Sequence, residues 1–148
     1  MQGAGGRGKV ENIYYLFRGI KHRCIKSNKM KHFRFEDLEI WQDAIKIGER
    51  LFDIADRADN KRLYRFAEQL RASGLSVSNN IAEGSGSVSK KDFCHFLNIA
   101  RRSVFECANM IIIFHRRSIL DDALKEGLMD DMSTLSKRIT SFRIKLKS

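Results

Sequence analysis

From residue 36 to residue 146, apolar side chains recur at alternating spacings of three and four, the period of helices buried along one side. The stripe Ile40, Ala44, Ile47, Leu51, Ile54 and Ala58 predicts a first helix over about 36–58. Leu38, Trp41, Ile45, Gly48, Phe52 and Ala55 form a second stripe beside it. Two stripes make a face wider than one helix seam needs. Either this helix is deeply buried in its own bundle, or part of the face, with Trp41, Ile40 and Ile47, packs against another subunit.

Leu63, Phe66, Leu70, Gly74, Val77 and Ile81 predict a second helix over about 62–83, after the polar break Asp59-Asn60-Lys61. Its second half is lined with small residues, which lets a neighbour approach closely. Gly84 and Gly86 follow as expected terminators, because glycine takes the left-handed cap conformation at no steric cost. Ser89-Lys90-Lys91-Asp92 resembles a capping box and opens a third helix, about 89–115, with Phe93, Leu97, Ala100, Val104, Cys107, Ile111 and Phe114 on its seam. A fourth, about 121–145, buries Leu124, Leu128, Met132, Leu135, Ile139 and Phe142. Acids open it and cations close it, as the helix dipole favours. No strand pattern competes. The expected fold is all-α: an antiparallel up-and-down four-helix bundle over 33–148.

Composition supports that reading. The 148 residues suit one domain, and the chain has no proline where average usage would give roughly seven. No run approaches the ~20 apolar residues that span a bilayer. Cys24, Cys94 and Cys107 form no CxxC pair, so a disulfide framework or zinc module is not expected. Cys94 and Cys107 read as small core residues of a reducing, cytoplasmic compartment.

The net charge of +10 is unevenly distributed. Residues 1–34 carry nine Lys/Arg against one acid, whereas 35–148 carry nineteen against seventeen. The bundle proper is therefore nearly neutral. Residues 1–32 form a basic, glycine-rich extension, expected to be disordered or not native. Within it, Val10, Ile13, Tyr14, Tyr15, Leu16, Phe17 and Ile20 sit among basic residues. Three readings stay open: an amphipathic helix touching RNA, a membrane surface or a subunit; a transit peptide; or translated sequence upstream of a start at Met30.

Chemistry is hard to find in this pattern. A di-iron bundle needs paired Glu-x-x-His motifs, and only Asp92-Phe93-Cys94-His95 comes near. The glycines at 84 and 86 make no phosphate loop, and no Gly-x-Ser-x-Gly elbow occurs. No enzyme, cofactor or metal is expected. Polar residues beside the seams do stand out: Arg71, Asn80 and Glu83 on the second helix, Arg101, Ser103 and Glu106 on the third. An Arg71–Asn80–Glu83–Arg101–Glu106 network would satisfy them and fix helix register. Basic pairs also recur: Lys90-Lys91, Arg101-Arg102, Arg116-Arg117 and Lys137-Arg138. Repeated around a ring of subunits, they would form a positive surface for nucleic-acid phosphates.

Taken together, the motifs carry a resemblance. Phe35-Glu36-Asp37-Leu38-Glu39-Ile40-Trp41-Gln42-Asp43-Ala44, then Gln69-Leu70-Arg71, then Asn80-Ile81-Ala82-Glu83-Gly84-Ser85-Gly86, and then Phe93 through Glu106 resemble, in order, the four-helix-bundle family encoded in intervening sequences of bacterial 23S rRNA genes. A more distant likeness is to the accessory variability determinant of diversity-generating retroelements, a basic pentameric bundle that binds reverse transcriptase and nucleic acid. The resemblance implies a non-enzymatic homopentamer that binds RNA, DNA or a ribonucleoprotein. The alternative it implies is a protein-interaction scaffold, such as an accessory partner of a reverse transcriptase. The sequence departs from the family pattern at Ser78, where many members have proline, and at Arg102, where a glycine follows the arginine.

Overall fold

Every residue of the first stripe, from Ile40 to Ala58, is buried, and its helix α1 runs Glu39–Asn60. The computed structural model describes residues 32–147. The basic extension up to residue 31, with its three readings, lies outside the described residues. A short 3-10 turn, Arg34–Asp37, precedes α1 and takes the place of its expected first turn. The Glu36 carboxylate accepts the Phe33 N–H at 2.7 Å, and Leu38 is extended, so the chain bends before the α-helix begins. The remaining helices are α2, Tyr64–Ser85, α3, Lys90–Arg116, and α4, Asp122–Lys147.

Consecutive helices pack side by side, and α4 returns to α1 along a thinner seam. α1 and α3 make no direct approach and occupy diagonal corners. Cross-helix pairs fix the antiparallel order: Gly74 lies against Leu51, the Ser76 hydroxyl meets Ser103, Arg143 meets Cys94, and His115 meets Asp122. Leu51, Leu70, Ile81, Leu97, Ile111, Phe114, Leu128, Met132 and Ile139 fill the centre. Ion pairs flank the α1–α4 seam on its outer side, through Arg50–Asp131 and through Arg138 shared by Asp43 and Glu39.

The helix ends overturn one expectation. Gly84 lies inside α2, and no glycine among the described residues has a positive φ. Gly86 caps α2 in an ordinary right-handed conformation (φ −82°). The left-handed caps fall instead on Arg62 (φ 60°) and Ser118 (φ 56°). In each case the N–H of the next residue reaches back five positions and the cap N–H reaches back three. Leu63 donates to Ala58 and Arg62 to Asp59; Ile119 donates to Phe114 and Ser118 to His115. These bonds satisfy the last carbonyls of α1 and α3, and Leu63 and buried Ile119 add the apolar contact that accompanies such a cap. Gly84 serves close approach instead: a Cβ there would lie 2.6 Å from Phe93 Cδ2 and 2.8 Å from Phe96 Cβ.

Candidate nucleic-acid interface

The polar residues of α2 and α3 do not form the expected single network. Arg71 and Asn80 are nine residues apart, two and a half turns, so they leave α2 on opposite flanks. Arg71 turns toward α1, where its guanidinium donates to Asp56 and Asp59, both at 2.6 Å. Burial pulls the Arg71 pKa down, but bonds to and charges on Asp59 and Asp56 outweigh it and hold it above its ordinary value. On the other flank, Asn80 Nδ2 donates to the Ser76 carbonyl at 2.7 Å and to its hydroxyl at 3.1 Å. Ser76 and Ser103 meet at 2.8 Å, and Ser103 donates onward to the Ile99 carbonyl. Glu106 accepts from Gln69 at 2.6 Å, and Glu83 is exposed. Arg101 stacks over the Phe105 ring at 4.9 Å. Its Nε is enclosed without an acceptor among the described residues.

Two of the three residues expected at a subunit contact on α1 face inward. Ile40 and Ile47 are only 6% and 8% exposed, because they belong to the protomer's own core. Trp41 is half-buried and packs against Phe35 with ring centroids 5.0 Å apart.

The basic pairs are spread along α3. Lys90-Lys91 begin the helix and Arg116-Arg117 end it, about 40 Å apart at the ~1.5 Å rise per residue. Arg101-Arg102 lie between them, and Arg102 is exposed on the outer side, away from any close helix contact. Arg138 is occupied by Glu39 and Asp43.

One of these pairs does join a larger site. Because α4 runs antiparallel to α3, its C-terminal cations come to rest beside the start of α3. Lys90, Lys91, His95 and Asn98 then face Arg143, Leu146 and Lys147 across an open groove of about 490 Å³ with Cys94 in its lining. Four lysine and arginine side chains line it, and no acid does. Ser89 caps α3 by accepting the Asp92 N–H at 3.1 Å, so the positive end of the α3 dipole lies beside these cations. Arg143 Nε donates to the Cys94 carbonyl at 3.2 Å, anchoring one wall. Such a groove suits a chain of phosphates. In the sequence Arg143 and Lys147 read only as cations closing the fourth helix; the antiparallel topology is the signal that places them opposite Lys90 and Lys91.

Among the described residues no group of three His, Cys, Asp or Glu side chains could hold a metal ion, and Asp92 and His95 gain no further ligand. No helix among them is long and apolar enough to cross a membrane.

A family model described as 23S rRNA-intervening sequence protein matches residues 36–141. The solved structure of a protein of unknown function from the S23 ribosomal protein family of Bacteroides thetaiotaomicron is similar, with a TM-score of 0.66 at 21% identity. The match covers 70% of this chain and 97% of that one, and at this identity it speaks for the fold alone. A comparison with curated proteins finds no match.

Proposed function

The chain belongs to the 23S rRNA-intervening sequence protein family, and from that premise we propose that it is a non-enzymatic, homo-oligomeric RNA-binding bundle. The groove between the start of α3 and the end of α4 holds the phosphate backbone. The observation that supports this is the acid-free lining of Lys90, Lys91, Arg143 and Lys147. Each phosphate neutralised releases counterions and steepens the fall of log K with log salt by about 0.7 to 0.9. A pentamer, the number carried by the family resemblance, would present the groove five times. The protein works in the cytoplasm, where its buried thiols Cys94 and Cys107 stay reduced.

The test is the salt dependence of binding to a structured RNA, using the full chain and a Lys90→Glu/Lys91→Glu variant. Both side chains are exposed, and acids suit a helix N-terminus, so the fold survives the change. The variant should lose affinity at low salt, and its slope should fall by about 2. An unchanged slope would assign the affinity elsewhere in the chain and end this reading of the groove.

A further inference from the structure

The outer side of α3 has an unusual pattern for a surface. Arg102, Phe105, Asn109, Ile112 and Arg116 follow one another at spacings of three and four, and therefore share one face. On it Phe105 is 56% exposed, Ile112 39% and the adjoining Ile113 37%. The face is apolar along its ridge and cationic around it. Arg101 stacks on Phe105, and Glu106, the nearby acid, is engaged by Gln69.

The opposite corner of the bundle presents the reverse charge. On α1, Ile45 and Phe52 are half-buried on the outer side next to α2, with exposed Glu49 and Asp53 beside them. Leu75 of α2, 44% exposed, follows Gly74, which lies against Leu51 of α1. Glu68 stands two turns before Leu75 on the same α2 face and is also exposed. The shallow groove between α1 and α2 is thus apolar at its floor and acidic at its rim. Of the cations nearest to it, Arg71 is paired with Asp56 and Asp59, and Lys46 lines the cleft on the other side of α1, toward α4.

We propose that the α3 ridge of one copy, centred on Phe105 and Ile112, seats in the outer α1–α2 groove of a second copy, with Arg101 and Arg102 against Glu49 and Asp53. This rests on the homo-oligomer reading above and specifies which faces meet. Because α1 and α3 occupy diagonal corners, the two faces point in opposite directions. The contact is therefore head to tail, and it closes a ring when the rotation between successive copies returns the last to the first. Pairing of two α3 ridges is disfavoured because it would set arginine against arginine. Two copies of the α1–α2 groove would oppose acids in the same way.

Light scattering on the purified full chain tests this. Wild type should have a mass several times that of the protomer. Phe105→Glu and, separately, Arg102→Glu should reduce it severalfold, toward one protomer, with helical circular dichroism unchanged because both side chains are exposed. Glu49→Lys/Asp53→Lys should do the same from the other side. The decisive sample is a 1:1 mixture of Phe105→Glu with Glu49→Lys/Asp53→Lys. Each keeps the face the other has lost, so the mixture should form a heterodimer and stop there. Folded ridge variants that keep the wild-type mass, or a mixture that stays monomeric, would overturn the assignment of faces while leaving an oligomer in place. A monomeric wild type would remove both this inference and the homo-oligomer reading. Loss of RNA binding in Phe105→Glu with unchanged mass would assign the ridge to RNA instead.

Discussion

Replacing Gly84 with alanine drives a methyl group into the start of α3. The new Cβ would lie 2.6 Å from Phe93 Cδ2 and 2.8 Å from Phe96 Cβ, where carbon atoms ordinarily stand ~3.5–4 Å apart. Neither neighbour yields easily. Phe93 is 3% exposed and set edge-on against Phe142, with ring centroids 5.6 Å apart. The Phe96 atom is a Cβ, fixed to the α3 backbone, so the helices themselves must separate. Overpacking of this kind costs ~1–3 kcal/mol, against ~1 kcal/mol gained when alanine replaces glycine within a helix. The expected net loss is therefore up to about 2 kcal/mol. Gly48 supplies the control. It is buried in α1, but a Cβ there would meet nothing within 4 Å, so Gly48→Ala should gain the ~1 kcal/mol of helix propensity. Urea unfolding followed by circular dichroism measures both variants. With a slope of ~1–3 kcal/mol per molar urea, the Gly84→Ala midpoint should fall below wild type and the Gly48→Ala midpoint rise above it. A Gly84→Ala midpoint at or above wild type would refute the close-approach account of Gly84.

Two other predictions follow from the helix ends and the core. Ser118→Gly relieves a left-handed serine (φ 56°); the strain of ~1–2 kcal/mol outweighs the ~0.4–1 kcal/mol that glycine adds to unfolded-state entropy. A thermal melt should therefore rise by a few degrees, and an unchanged or lower midpoint would refute the strain. Burial, with a smaller contribution from the charge on Glu106, pushes the Cys107 thiol from its ordinary 9.0 up to about 12. The folded chain then holds a proton that the unfolded chain releases, so this contribution to stability is complete below pH 9 and is lost as pH rises toward 12. The wild-type urea midpoint should fall more steeply between pH 8 and 10.5 than that of Cys107→Ala, and parallel curves would contradict the buried thiol.

The helices were legible because each has one side that must be dry, and that requirement leaves a period in the sequence. The stripes Ile40–Ala58 and Phe93–Phe114 place α1 and α3 almost residue for residue. The caps were less legible. Arg62 and Ser118 adopt a conformation that glycine usually signals, while Gly84 was read as a stop when its missing side chain was the point. Spacing along the chain also misled where it was not converted into direction around the helix: Arg71 and Asn80 share α2 but face different neighbours. The groove lay furthest from view. Lys90 and Arg143 are 53 positions apart, and only the antiparallel return of α4 makes them neighbours. The wide apolar face of α1 suggested a subunit contact through Ile40 and Ile47, and the structure uses both inside the protomer.

The order of packing has a kinetic consequence. Each helix rests mainly on the one before it in sequence, and among the described residues the one pair of α-helices not adjacent in sequence that meets is α1 with α4, along an ion-paired seam. Loops between successive partners are short, so little chain entropy is lost before each new contact forms. Topologies of this kind fold quickly, by pairing neighbouring helices first. The α1–α4 clasp, which spans nearly the whole bundle in sequence and depends on charge, is then the last join to form and the first to yield to salt.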